Sequence, residues 1–256
     1  MLQDLLAGAI SDAENRLLTR PLASVEAAAR AQSPALDALA ALAPAESVKI
    51  LAEIKRASPS RGFLASITDP AALAVSYETG GASAISVLTE GRRFKGSLSD
   101  LEQVRAAVSI PVLRKDFIGT PYQVFEARAA GADLVLLIVA ALDQSTLLSL
   151  HELIRELGMT ALVETHSAEE VSRALDIGAS LVGVNARNLS TFELDQNLFG
   201  ALADRIPSGV VRVAESAVKT AADVAHYRSA GADVVLVGEA LVTSDPIRTL
   251  SEFLAV

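Results

Sequence analysis

A chain of 256 residues is long for one β-sandwich and short for two typical domains, so a single domain spanning 1–256 is the expectation. It is 51% hydrophobic and 21% charged, which supplies a large core and excludes a disordered chain. The net charge of −9 argues against a general nucleic-acid or membrane-surface binder, and the absence of cysteine removes disulfide scaffolds, thiolate zinc sites and cysteine nucleophiles.

The opening stretch, Met1 to Arg16, is amphipathic and interrupted by acids, unlike the apolar core of a secretory signal. Residues 1–46 carry Ala and Leu at helical spacing (Leu2, Leu5, Leu6, Ala9, Ile10; then Ala35, Leu36, Leu39, Leu42), broken at Pro21, Pro34 and Pro44, and read as a helical extension. From Lys49 the texture changes to short apolar runs alternating with amphipathic stretches. Strands are expected at Val48 to Lys55, Ala84 to Thr89, Pro111 to Phe117, Asp133 to Val139, Thr160 to His166, Leu181 to Asn185, Val210 to Glu215 and Asp233 to Gly238. Helical patterns lie between them at Ser97 to Val108, Pro121 to Ala130, Asp143 to Leu157, Ala168 to Ile177 and Thr220 to Ala230. The longest strongly apolar run, Leu134 to Leu142, falls short of the roughly 18 residues that a membrane helix needs, so a soluble, cytoplasmic protein is expected.

Gly-Ala followed by Ser or Asp recurs at Gly81, Gly131, Gly178 and Gly231, each time where a helix should end and a strand begin. The spacings of 50, 47 and 53 residues correspond to two β/α units each. Strands apolar on both faces and joined by helix-length connections pair in parallel with helices outside. Eight such units predict a closed eight-stranded parallel (β/α)8 barrel, the TIM barrel, in preference to a doubly wound open sheet.

Residues two apart in a strand share a face, so the charges that alternate with apolar positions near strand ends are informative. Strand one places Glu53 and Lys55 in phase; strand three, Lys115 with Leu113 and Phe117; strand five, Glu164 and His166 with Leu162; strand six, Asn185 and Arg187 with Gly183; strand seven, Glu215 with Val213. A barrel interior is built from bulky aliphatics, and an unpaired buried charge costs several kcal/mol. A set of three Glu, two Lys, an Asn and an Arg at one end is therefore read as an active site rather than a structural layer of ion pairs. Eight of the 22 basic residues (Lys55, Arg56, Arg61, Arg92, Arg93, Lys95, Lys115, Arg187) lie at or just after the ends of strands one, two, three and six, which suggests an anionic small molecule. Arg92 and Arg93 are set aside as a solvated face. The turns Glu215-Ser216-Ala217 and Val237-Gly238-Glu239 can offer backbone amides to a phosphate where such barrels usually bind one. Three histidines, His151, His166 and His226, leave little for a metal site, and none is expected.

Ala-Glu-Ile-Lys-Arg-Ala-Ser-Pro-Ser from Ala52, Thr89-Glu90 with Phe94-Lys95-Gly96-Ser97, and Pro-Val-Leu-Arg-Lys-Asp-Phe from Pro111 occur in order. Leu162-Val163-Glu164, Gly-Val-Asn-Ala-Arg-Asn-Leu from Gly183, Ala214-Glu215-Ser216 and Val-Gly-Glu-Ala-Leu from Val237 follow. From about Ile50 to Leu241, and in its helical extension, the chain resembles the indole-3-glycerol phosphate synthase family of tryptophan biosynthesis. The resemblance implies ring closure of 1-(2-carboxyphenylamino)-1-deoxyribulose 5-phosphate with loss of carbon dioxide and water, by acids and bases and without a cofactor. It implies Lys115 as general acid, Glu164 as base, Glu53 as a second carboxylate, and Lys55 as substrate contact or second acid, with the division of steps between the lysines left open. Asn185 and Glu215 would orient these groups, and Arg187 would face the substrate carboxylate. Ser58, Ser216 and the amides near Ala217, Gly238 and Glu239 would hold phosphate, while Phe94 and Leu136 would flank the anthranilate ring.

Residues Arg56 to Gly62 read as a mobile loop over the mouth, and His166 as an orienting or packing group. Two departures from the family pattern stand out: Ala217 where glycine is common, and Glu239 where many relatives carry serine. The expected partner is a small anionic substrate, with no nucleic acid and no membrane, for a monomer whose contacts with other enzymes of the pathway stay open. A Schiff-base aldolase using Lys115 and a non-enzymatic sugar-phosphate sensor are the competing readings.

Overall fold

The computed structural model describes residues 1–188 and 191–256. Leu189, the last residue of the motif from Gly183, lies outside the described residues. Three helices, α1 (Leu2–Thr19), α2 (Leu22–Ala31) and α3 (Ala38–Ala41), precede the barrel. Their breaks fall at Pro21 and Pro34, with Pro44 just after the third, because proline lacks the N–H that a helix interior needs.

Eight parallel strands follow: β1 (Lys49–Ile54), β2 (Ala84–Leu88), β3 (Val112–Lys115), β4 (Leu134–Ile138), β5 (Thr160–Thr165), β6 (Leu181–Asn185), β7 (Val211–Glu215) and β8 (Val234–Val237). They form a closed barrel in sequence order, with β1 paired to β2 (Glu53 beside Ser86) and to β8 (Ala52 beside Val237). Every strand lies within the run expected from sequence. Several are shorter, since ladder pairing ends before the last residues of the run, with Ile54 ahead of Lys55 and Thr165 ahead of His166.

The outer helices are α4 (Pro70–Thr79), α5 (Leu98–Ala107), α6 (Pro121–Ala129), α7 (Gln144–Glu156), α8 (Ala168–Asp176), α9 (Leu198–Ala203), α10 (Ala221–Ser229), α11 (Glu239–Val242) and α12 (Pro246–Leu254). Their starts are written locally. The side chains of Asp69, Ser97, Thr120, Asp143, Ser167 and Asp245 each accept the N–H of the residue three on, satisfying a donor that the helix itself leaves unpaired. The four repeat glycines, Gly81, Gly131, Gly178 and Gly231, all adopt positive φ (76–95°), the left-handed turn that leads each helix into its strand.

The barrel fills in layers whose members come from alternate strands. Leu51, Leu113, Leu162 and Val213, one each from β1, β3, β5 and β7, are fully buried. Two residues further along the same four strands stand Glu53, Lys115, Glu164 and Glu215. The same alternation that builds an aliphatic layer thus sets the next inward positions of these strands with charges.

Helix α1 crosses toward this end of the barrel. Arg16 makes a two-pronged ion pair with Glu126 of α6 (2.6 and 2.8 Å), and Asp12 pairs with Arg92 (2.7 Å). Ala13, Val25 and Ala29 pack with Tyr122 and Phe125 to bury the inner faces of α1 and α2 against α6.

Candidate active site

At the mouth the ammonium of Lys115 lies 3.5 Å from Glu215 Oε2, 3.6 Å from Glu164 Oε2 and 3.8 Å from Glu53 Oε2. Lys55 Nζ donates to Glu53 Oε1 at 2.6 Å. The three carboxyl side chains are only 1–3% exposed, whereas Lys115 and Lys55 retain 15% and 19%, so the bases form the floor and the cations face the opening.

Burial opposes a charge on Lys115, but Glu164, Glu215 and Glu53 outweigh it and hold the ammonium well above the usual lysine range. Burial likewise pushes Glu164 up, yet Lys115 and His166 bring it below the ordinary carboxylate value. Glu53 is lowered in the same way by Lys55 and Lys115. Glu215 goes the other way: burial and the neighbouring Glu164 raise it well above the usual range, against the pull of Lys115, and favour its protonated form. One site therefore presents an ammonium, a carboxylate held low and a carboxyl group pushed toward its neutral form around one point. Glu164 Oε1 and both oxygens of Glu215 are buried without a hydrogen-bond partner among the described residues.

Two glycines make room for these groups. A Cβ on Gly183 of β6 would collide with Glu215 Oε1, and one on Gly238 would come within 2.6 Å of Glu53 Oε1 and 3.0 Å of Lys55 Nζ. Asn185 Oδ1 accepts the Arg187 N–H at 3.0 Å and the Ser216 hydroxyl at 2.7 Å. That hydroxyl is thus committed to Asn185, and the donors left at this turn are backbone N–H groups. Ser216 and Ala217 both sit at positive φ (71° and 59°), so the turn does demand the left-handed conformation at which a Cβ is strained.

All fourteen residues singled out from sequence line one cavity: Glu53, Lys55, Lys115, Glu164, Asn185 and Glu215, with Ser58, Phe94, Leu136, Arg187, Ser216, Ala217, Gly238 and Glu239. Phe94 is joined there by Phe117, their ring centroids 6.1 Å apart. Glu239 turns to an ion pair with Arg61 at 2.7 Å.

The basic field at the mouth is smaller than the count of eight implies. Arg56 turns away and is clamped by Asp100 (2.6 and 3.0 Å) and the Ile67 carbonyl, anchoring the short hairpin of Ala57–Ser58 and Gly62–Phe63. Among the described residues the cations lining the cavity are Lys55, Arg61, Lys115, Arg187 and Lys219. Lys219, just after the strand-seven turn, was not anticipated, although its place beside Ser216 and Ala217 was a usable signal. Leu5 of α1, and Phe192 and Leu194 after β6, also close over the cavity. Nothing local in the sequence marks them, because they reach the site only through tertiary packing. His166 lies not in this cavity but on an adjoining crevice.

A family model described as indole-3-glycerol phosphate synthase matches residues 2–252. The indole-3-glycerol phosphate synthase of Leifsonia xyli subsp. xyli is 75% identical over 253 residues, covering 99% of this chain and 97% of that protein. That of Mycobacteroides abscessus is 59% identical, covering 96% and 90%, and that of Rhodococcus jostii 56%, covering 98% and 94%. Among solved structures, N-acetylmannosamine-6-phosphate 2-epimerase from Clostridium perfringens aligns with a TM-score of 0.59 at 15% identity, over 75% of this chain and 86% of that one, a likeness of fold alone. With a family model spanning almost its whole length and relatives this similar over nearly all of theirs, the chain belongs to the indole-3-glycerol phosphate synthase family.

Proposed function

We propose that this enzyme closes 1-(2-carboxyphenylamino)-1-deoxyribulose 5-phosphate to indole-3-glycerol phosphate, with Lys115 as the general acid. The observation that carries the assignment is the Lys115 ammonium set among three buried carboxyl groups at the cavity floor. The arene carbon bearing the carboxylate attacks the ribulose carbonyl, a C–C bond forms, and Lys115 protonates the oxygen as it gains charge. Carbon dioxide then leaves from the same arene carbon and returns its electron pair to the ring. The new hydroxyl departs as water with acid help, and Glu164, ionised and with an unpartnered oxygen, takes the last proton from the resulting anilinium-type cation.

Glu215, pushed toward its protonated form, and Asn185 orient the ribulose hydroxyls. Glu53 pairs with Lys55 and helps to keep Lys115 ionised, and Lys55 meets the substrate carboxylate or serves as second acid, with Arg187 adding positive charge. Phosphate sits against Ser58, Ser216 and the amides at Ala217, Gly238 and Glu239; Phe94 and Leu136 flank the anthranilate ring. The enzyme works as one domain, 1–256, with 1–46 as its helical extension, and as a cytoplasmic monomer.

The raised position of Lys115 argues against the Schiff-base reading, which needs a neutral amine. Borohydride trapping with substrate separates the two, since a covalent adduct on Lys115 would overturn the proton-transfer mechanism. Incubation with synthetic anthranilate ribulose phosphate, followed by indole fluorescence, tests the function itself. Absence of product at high enzyme concentration would refute it.

A further inference from the structure

The base Glu164 has a second neighbour behind the cavity wall. Its Oε2 faces Lys115, while Oε1 faces His166 Nε2 at 3.5 Å. Both Glu164 Oε1 and His166 Nε2 are buried and lack any hydrogen-bond partner among the described residues. Two buried polar atoms left facing each other call for an explanation, because each unmet group carries a desolvation penalty; with Nδ1 donating to the Glu170 carboxylate, Nε2 bears a hydrogen for Glu164 in the doubly protonated ring.

The other side of the imidazole is already held. Nδ1 lies 3.1 Å from Glu170 Oε2, and the same oxygen accepts the His166 backbone N–H at 2.8 Å. Glu170 stands in the first turn of α8, and its own N–H donates to the capping Ser167 hydroxyl at 3.2 Å. The β5-to-α8 turn thus sets the ring's orientation from local sequence. Beyond it lies the crevice shared by His166, Asn185, Asn188, Glu193 and Asp195.

We propose that His166 is a positioning residue for the base: anchored by Glu170, it presents Nε2–H to Glu164 Oε1, fixes the carboxylate with Oε2 toward Lys115, and keeps it ionised for the last proton transfer. The inference rests on Glu164 being that base. The groups facing His166 are Glu164 from β5, Glu170 from α8 and Lys115 from β3, with Glu193 and Asp195 on the same crevice. Burial disfavours a charged ring, but the Glu170 hydrogen bond and the charges of Glu164 and Glu170 outweigh it, and against the opposing Lys115 they hold the imidazole above the ordinary histidine value. The charge of His166 is in turn one of those that hold Glu164 down.

The test is the pH profile of kcat and KM on synthetic anthranilate ribulose phosphate for the full chain and its variants, with thermal midpoints recorded alongside. His166→Ala is expected to lower kcat about tenfold at little change in KM. Its acidic limb should move to higher pH, since Glu164 keeps its proton longer without a neighbouring cation. His166→Gln restores an N–H donor without charge: most of the alkaline-side kcat should return while the limb stays displaced. A His166→Ala enzyme with wild-type kcat and an unmoved limb would overturn the proposal. So would a loss of kcat that leaves the limb in place and is not recovered by His166→Gln. Glu164→Gln separates the two levels. If it turns over like wild type, the base assignment itself fails; if it is inactive while His166→Ala is normal, only the role of His166 falls.

Discussion

Replacing Lys115 by methionine keeps most of the side chain's length and deletes its charge. Its contacts with the Glu164 and Glu53 carboxylates, at 3.6 and 3.8 Å, are each worth ~4–5 kcal/mol before desolvation at an effective dielectric near 20, while Glu215, pushed toward its neutral form, adds less. Desolvating the ammonium offsets most of that sum, and removing one partner of a buried ion pair typically destabilises by about 3–5 kcal/mol. The loss should depend on pH in a definite sense. In the wild type Glu53 and Glu164 have folded values below 4.5, so their stabilisation is present above that pH and lost as pH falls. In the variant Glu53 keeps Lys55, but Glu164 and Glu215 remain buried without their main cation: the folded value of Glu164 rises above the unfolded one, and that of Glu215, already above it, rises further. Each then destabilises increasingly as pH rises past about 4.5, and the gap to wild type should close as pH falls toward that value. Urea unfolding across this range measures the gap, circular dichroism checks the fold, and indole fluorescence measures turnover, which should vanish. Turnover within about tenfold of wild type, or a stability gap that does not shrink in acid, would refute the reasoning.

Gly183→Ala drives a methyl group into Glu215 and should lower kcat/KM by roughly 10²-fold while destabilising by about 1–3 kcal/mol, as read by steady-state kinetics and urea midpoints. Ala217→Gly removes a Cβ at φ 59° and, after the greater freedom of the unfolded chain is subtracted, should raise the thermal midpoint by roughly 1–2 °C with KM unchanged or lower. Glu239→Ser removes the carboxylate nearest the proposed phosphate position and frees Arg61; KM should fall by about two- to fivefold at low salt, and the gain should fade at high salt. A KM that does not respond to salt would disprove that electrostatic account.

Local order carried much of this protein. Period-two alternation alone puts Glu53, Lys115, Glu164, Asn185 and Glu215 on inward faces, because the face of a strand residue depends only on its phase. Proline breaks, side-chain caps and the four Gly-Ala turns marked elements for the same reason: each acts within a few residues. Asp69-Pro70 announced α4 by the same rule, a signal the reading by periodicity passed over. What alternation cannot express is stagger between strands. Only closure of the barrel brings Lys115 of β3 within 4 Å of carboxylates from β1, β5 and β7, which lie between 49 and 100 residues away in the chain. The charge states follow from that closure. Glu164 and Glu215 are the same residue type at equivalent strand positions, yet they shift in opposite directions: at Glu164 the charges of Lys115 and His166 outweigh burial, whereas at Glu215 burial and the neighbouring Glu164 outweigh Lys115. The turning of Arg56 to Asp100, the cover provided by Leu5, Phe192 and Leu194, and the meeting of His166 with Glu164 likewise depend on distances in space, which the order of residues along the chain does not contain.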